Sequence, residues 1–185
     1  KFPYLRKVWQ NNTEEERLLG VSLTGIMDNP LLTTKNKGLA QMLDHLRHVA
    51  IDTNKEWSER LGVQQSTAIT CVKPSGTVSQ LVDSASGIHA RHSPYYYRTV
   101  RGDNKDPITQ FMKDQGIPSE LCVGKPHTTT VFTFPVAAPK NAVTRDDMTA
   151  IEQLEMWLTY QRHWCEHKPS VTISVTDDEW LEVGA

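Results

Sequence analysis

The chain has 185 residues, 38% of them hydrophobic and 23% charged, which is enough for a sizeable core and too apolar for disorder. Lys and Arg total 20 and Asp and Glu 22, a net charge of -2, which argues against a broad nucleic-acid-binding face and leaves small anionic ligands open. No apolar run is long enough to cross a bilayer, and three widely spaced cysteines, Cys71, Cys122 and Cys165, fit a reducing compartment better than a disulfide scaffold. A cytoplasmic protein is expected. The chain opens at Lys1 without a methionine and stops in DDEWLEVGA, which reads as the first turns of a helix. Both ends read as those of a piece of something longer.

In chain order, residues 18–30 (LLGVSLTGIMDNP) combine β-branched residues with glycines and end in a turn signal, predicting a buried strand and loop. From Leu39 the apolar positions run Leu39, Met42, Leu43, Leu46, Val49, Ala50, Trp57 and Leu61, the spacing of an amphipathic helix that ends near Gly62. TAITCV (67–72) is nearly continuous in apolarity, which fits a parallel strand covered on both faces. YYYRTVR (95–101) reads as extended. TTTVFTFPV (128–136) is the clearest strand, with Pro135 expected to end it. Thr144 followed by Asp147 has the spacing of a helix start, with Ile151, Leu154 and Leu158 on the buried face and Trp157 and Trp164 beside it. SVTISV (170–175) is a last strand, and Thr176 with Glu179 repeats the capping spacing. Strands and helices alternate, so the class is α/β with substantial parallel pairing. No linker divides residues 1–185, and a single domain is expected.

Directly after the strand at 67–72 lies KPSGTVS (73–79). A strand-to-helix turn presents unpaired backbone N–H groups and the positive end of the helix dipole, which favour an exposed anion by roughly 0.3–1 kcal/mol. Gly76 keeps no side chain between a phosphate and the backbone. Ser75, Thr77 and Ser79 add hydroxyls, Pro74 sets the entry angle, and Lys73 is a nearby cation. The pattern is not a Walker A loop. Ser, Gly and Thr also serve as turns and caps with no ligand at all, so the local chemistry permits phosphate without requiring it.

TCVKPSGTVSQL followed by SASGIHARHSPYYYRTVR resembles the catalytic chain of ribonucleotide reductases, in particular the monomeric adenosylcobalamin-dependent ribonucleoside-triphosphate reductases. The likeness continues in order through GVSLTGIMDNP, TTVFTFPV and EQLEMWLTYQRHWCEHKPSVTISV, from about Leu18 to the end. It implies a ten-stranded α/β barrel of the ribonucleotide reductase and glycyl-radical type, to which this chain contributes the C-terminal half. It also implies that Pro74, Ser75, Gly76, Thr77, Val78 and Ser79 bind the phosphates of the substrate nucleotide. The family reduces ribonucleotides to deoxyribonucleotides. A thiyl radical, formed after homolysis of the adenosylcobalamin Co–C bond, abstracts the ribose 3′-hydrogen; a cysteine pair then supplies electrons, restored by a dithiol reductant such as thioredoxin.

This chain lacks the family's Asn-Pro-Cys-Gly-Glu radical-cysteine loop and its paired-cysteine tail. None of the three cysteines is assigned to catalysis, and turnover is expected to need the missing N-terminal part. The competing expectation is a non-catalytic phosphate-binding module or split subunit. His45/His48, His89/His92 and His163/His167 have metal-compatible spacings, but no third ligand accompanies any pair, so surface or capping roles are expected rather than a metal-dependent hydrolase. Cys71 is expected as a small buried hydrophobe. The tyrosines of PYYYR are expected to alternate on a half-buried strand rather than stack on a ligand.

Overall fold

The computed structural model describes residues 3–185, and these form two compact units. One comprises the chain up to Arg91 together with Asn141–Ala185; the other is His92–Lys140.

In the first unit, α1 (Lys7–Glu16) leads to β1 (Val21–Ser22), which pairs in parallel with β2 (Thr70–Cys71), Val21 opposite Thr70 and Ser22 opposite Cys71. Backbone bonds extend the pairing on both sides, from Leu19 N–H to Ala68 C=O (3.1 Å) and from Leu23 N–H to Cys71 C=O (3.3 Å). The parallel arrangement expected for TAITCV is present, although the regular ladder is short. After β1 the chain turns into two single 3₁₀ turns, Ile26–Asp28 and Pro30–Leu32. It then enters α2 (Leu39–Leu61), which stops at Gly62 with φ 64°, as the sequence predicts.

Only the first part of the apolar stripe on α2 is covered. Leu39 and Leu43 are buried, whereas Leu46, Val49, Trp57 and Leu61 stay exposed.

The helix α5 (Ala150–His163) begins later than Thr144. Thr144 and Asp147 close a capping box on a 3₁₀ turn, Arg145–Asp147, and a second box, Thr149 with Glu152, starts the helix. This shift changes the buried face. Ala150, Met156 and Tyr160 are buried, Ile151 and Leu154 are half-buried, and Leu158 is exposed. Tyr160 can be buried because its hydroxyl donates to Leu32 C=O at 2.8 Å, and Trp164 because its indole donates to Cys71 C=O at 2.8 Å. These side chains join Ile26, Met27, Leu39, Leu43, Val72, Ala85, Ile88 and Val143 in one core.

SVTISV is extended but enters no ladder among the described residues. Half-buried Val171, Ile173 and Val175 alternate with exposed Thr172, Ser174 and Thr176, as in a strand. Its bonds are scattered, however: Ser170 N–H to Val72 C=O (3.3 Å) and Thr172 N–H to the His89 ring (3.0 Å). Thr176 donates its N–H and hydroxyl to Glu179 ahead of the short helix α6 (Trp180–Val183), as the capping spacing predicts.

The short helix α3 (Val78–Leu81) follows β2. The second unit is a three-stranded antiparallel sheet, order β3-β5-β4, made of β3 (Tyr95–Asp103), β4 (Ser119–Leu121) and β5 (Thr129–Ala137), with α4 (Pro107–Asp114). Pro135 does not end β5. It sits opposite Tyr97, and β4 pairs only with Thr130–Phe132, so nothing on that side asks Pro135 for an N–H. At Gly102 an added Cβ would collide with the Thr109 hydroxyl, so α4 packs here directly on the strand backbone. Tyr95 and Tyr97 are exposed and Tyr96 half-buried, the alternation expected.

Glu166 ties the end of α5 to β2. Its carboxylate accepts the N–H groups of Ile69 (2.7 Å) and Thr70 (3.0 Å) and lies 3.7 Å from Arg47. Burial alone would raise this carboxyl, but the hydrogen bonds and Arg47 outweigh it and hold it below its ordinary value of 4.5. A depressed folded value stabilises fully above the unfolded one and is lost as pH falls through the lower, folded one. Glu166→Gln is therefore expected to lower the melting temperature near neutral pH and to narrow that difference below about pH 4; thermal melts between pH 3 and 7 measure it.

Candidate phosphate-binding loop

The loop at 73–79 is held from below by hydroxyls. Lys73 N–H donates to Ser22 Oγ at 3.2 Å, and Ser75 N–H to Ser86 Oγ at 3.0 Å. Thr24 Oγ1 lies 2.6 Å from Ser75 Oγ and donates to Ala85 C=O at 3.1 Å. A hydroxyl has one hydrogen, so with that of Thr24 on Ala85, the hydrogen between the two side chains comes from Ser75. Gly87 N–H then splits between Thr24 Oγ1 (2.9 Å) and Ser75 Oγ (3.0 Å). Ser79 is buried, and both its N–H (2.8 Å) and its hydroxyl go to Ser75 C=O.

The six predicted residues therefore divide. Ser75 and Ser79 spend their hydroxyls inside the protein. Pro74, Gly76, Thr77 and Val78 face solvent. Thr77 has no cap bond from its hydroxyl, and neither that hydroxyl nor the N–H groups of Thr77 and Val78 have a partner among the described residues. Gly76 has no positive φ, and a Cβ there would meet nothing within 4 Å. Neither packing nor backbone geometry explains that glycine. Gly87 is the opposite case: its φ is 54°, and a Cβ would come within 2.9 Å of Lys73 C=O.

A buried fork fixes this framework. The Arg91 side chain is 2% exposed and clamps Asp28, Nε to Oδ1 at 2.9 Å and Nη2 to Oδ2 at 2.8 Å. The same Asp28 oxygen accepts Ala85 N–H at 2.7 Å, and Arg91 also reaches Asp83 C=O at 2.8 Å. His89 links the assembly to the 170–175 segment. Its Nδ1 faces Ser86 C=O at 2.9 Å and its Nε2 accepts Thr172 N–H at 3.0 Å, which sets a neutral ring with the proton on Nδ1. Sequence reasoning misses Thr24, Asp28, Ser86 and Arg91. They lie inside the segments that carry the family resemblance, but Thr24 and Ser75 are 51 positions apart, Asp28 and Arg91 63, and even Ser86 is 11 from Ser75, so no local pattern signals the contacts.

The remaining candidates stand elsewhere. His163 Nδ1 is 2.9 Å from Asp44, and His48 Nδ1 is 2.6 Å from Asp44 C=O. No group of three or more His, Cys, Asp or Glu among the described residues is arranged to hold a metal ion. Cys71 is buried in β2, as expected. Cys165 is buried too, and burial, with Cys71 nearby, pushes its thiol up to about 12.

A short parallel strand pair leads into a loop whose residues 76–78 face solvent, and the proteins this chain resembles are ribonucleotide reductases. No family model matches the chain. It is similar to the adenosylcobalamin-dependent ribonucleoside-triphosphate reductases of Euglena gracilis (32% identity, 90% of this chain, 23% of that protein) and Lactobacillus gasseri (27% identity, 96% and 27%). The crystal structure of a B12-dependent (class II) ribonucleotide reductase superposes on 94% of the chain and 28% of its own, with a TM-score of 0.80 and 25% identity. The chain thus spans about a quarter of the length of the relatives it matches, and it has the α/β fold of part of that reductase. The family likeness carried by the sequence motifs holds along almost the whole chain.

Two outcomes are expected from this geometry. Arg91→Ala leaves the Asp28 carboxylate, 13% exposed, without its partner and is expected to cost up to about 3–5 kcal/mol, with Arg91→Lys recovering only part because lysine has no fork; urea unfolding midpoints measure both. Cys165, a neutral thiol at pH 8, is expected to resist iodoacetamide in the native protein and to react once denatured, which peptide mass spectrometry reads directly.

Proposed function

We propose that this chain is the C-terminal half of the catalytic barrel of an adenosylcobalamin-dependent ribonucleoside-triphosphate reductase, and that its loop at 74–79 seats the substrate's phosphates. The observation that carries the loop assignment is the unpartnered Thr77 hydroxyl and the Thr77 and Val78 N–H groups, beside a Gly76 whose missing side chain leaves open space over them. A phosphate approaching over Gly76 meets these donors in charge-assisted hydrogen bonds. Ser75 and Ser79 act from within, holding the loop open through Thr24, Ser86 and Gly87. Pro74 leads the chain into that seat.

The chain's own part in the reaction is positional. Anchored phosphates place the ribose for hydrogen abstraction, and remote binding energy of this kind is what orients a reacting centre. The radical cysteine, the carboxylate and the reducing cysteine pair belong to the N-terminal part and tail of the whole enzyme. A dithiol reductant such as thioredoxin restores the cysteine pair. The contacts to the cobalamin are assigned to the rest of the enzyme. Cytoplasmic location agrees with three free cysteines, and no helix among the described residues is long and apolar enough to cross a membrane.

With the full-length protein, ribonucleoside triphosphates and a dithiol, deoxynucleotide is expected only when adenosylcobalamin is added; equal activity without it overturns the cofactor assignment. Gly76→Val adds a side chain into open space and leaves the fold intact, while Thr77→Val removes one hydroxyl. Thr77→Val is expected to weaken substrate binding roughly ten- to hundredfold, in line with one charge-assisted hydrogen bond at about 1.5–3 kcal/mol, and Gly76→Val at least as much by blocking the approach of the phosphate. Unchanged affinity in both variants would sink the phosphate assignment.

A further inference from the structure

The extended 170–175 segment enters no ladder, and its backbone has few holds on the rest of the first unit. Of its N–H groups, those of Ser170 and Thr172 are hydrogen-bonded among the described residues, Ser170 to Val72 C=O at 3.3 Å and Thr172 to the His89 ring at 3.0 Å. One of these two holds is therefore a side chain that can gain a proton.

The same ring also reaches the phosphate loop. Ser86 C=O accepts the His89 backbone N–H at 2.9 Å and the Nδ1 proton at 2.9 Å, while Ser86 Oγ accepts Ser75 N–H at 3.0 Å. A chain of hydrogen bonds thus runs from Thr172 through His89 and Ser86 to Ser75, at the head of the loop. It is complete only with a neutral ring, because one ring nitrogen must donate while the other accepts. A second proton, on Nε2, sets donor against donor at Thr172 and leaves the Ser86 side intact. Protonation therefore cuts the chain at one defined bond.

Other charged groups stand on the elements that His89 joins. They are Lys73 on the loop, Arg91 with Asp28 and Asp83 on the ring's own side, and Lys168 just ahead of 170–175, which itself carries none. Lysines, arginines and carboxylates ordinarily keep their charge between pH 5.5 and 8, and imidazole is the side chain that changes there.

We infer that His89 is a positioning residue: as the neutral ring it ties the 170–175 segment to the support of the phosphate loop, and on protonation it releases the segment and loosens the loop's hold on phosphate. The consequence for phosphate rests on the loop assignment above; the release of the segment does not.

The test uses the full-length protein with His89→Gln, whose amide oxygen can accept from Thr172 N–H and does not titrate, and His89→Leu, which has no acceptor. Hydrogen exchange of the peptide covering 170–175 is followed by mass spectrometry and corrected for the intrinsic effect of pH on amide exchange. In the wild type it is expected to quicken about fivefold from pH 8 to pH 5.5, the size of one ordinary hydrogen bond. In His89→Gln it is expected to stay slow at both, and in His89→Leu to be fast at both. The KM for ribonucleoside triphosphate, taken as the ratio of wild type to His89→Gln so that titration of the substrate and of the other histidines cancels, is expected to rise about fivefold over the same range. Equal pH dependence of exchange in wild type and His89→Gln, or exchange in His89→Leu as slow as in the wild type at pH 8, overturns the inference. A flat KM ratio beside the expected exchange overturns the positioning role. Failure of the loop assignment is read separately, from unchanged affinity in Gly76→Val and Thr77→Val, neither of which touches the bond between His89 and Thr172.

Discussion

The bidentate contact between Arg91 and Asp28 is the constraint from which the rest of the first unit takes its shape. An ionised guanidinium 2% exposed is tolerated only because its donors are taken up in fixed directions. Asp28 in turn holds Ala85 N–H, Ala85 C=O accepts from Gly25 N–H and the Thr24 hydroxyl, and Thr24 meets Ser75. Three segments far apart in the chain are thereby locked into one shelf. Arg91 also anchors the returning chain through backbone bonds with Val143 and Arg145. Removing Asp28 would leave the Arg91 guanidinium buried and unpaired, and removing Arg91 would leave the shelf without its corner.

The two glycines flanking this shelf show how a site differs from its support. Gly87 is demanded by its own φ and by the Lys73 carbonyl beside it, a purely internal need. Gly76 has neither a positive φ nor a neighbour within 4 Å of where a Cβ would stand. The division of the serines makes the same point. Ser75 and Ser79 look identical to Thr77 in the sequence as phosphate donors, yet their hydroxyls are consumed as internal struts, and only Thr77 keeps its hydroxyl for solvent or ligand.

Several differences between sequence pattern and structure have one cause. The first capping spacing, Thr144 to Asp147, predicts the start of α5, but a second spacing five residues on, Thr149 to Glu152, starts it. Local hydrogen bonding allows both, and packing of Met156 and Tyr160 against the core decides which face turns inward. Proline lacks a donor, which predicts a strand end at Pro135; the short β4 leaves no acceptor waiting there. The apolar stripe of α2 continues past Leu43 into residues that this chain leaves exposed, since its covered length is set by what α2 packs against and not by its own periodicity.

By itself the sequence determined the helix ending at Gly62, extended segments at 95–101 and 128–136 and the parallel character of TAITCV. Each rests on forces that act within a few residues: periodic burial, caps, β-branched side chains and glycine at a turn. Only the tertiary structure decided which hydroxyls of the loop remain available, that Asp28 and Arg91 hold it, and that His89 meets Thr172. Those facts depend on residues 51 to 83 positions apart meeting in space, and no local pattern in the chain records such a meeting.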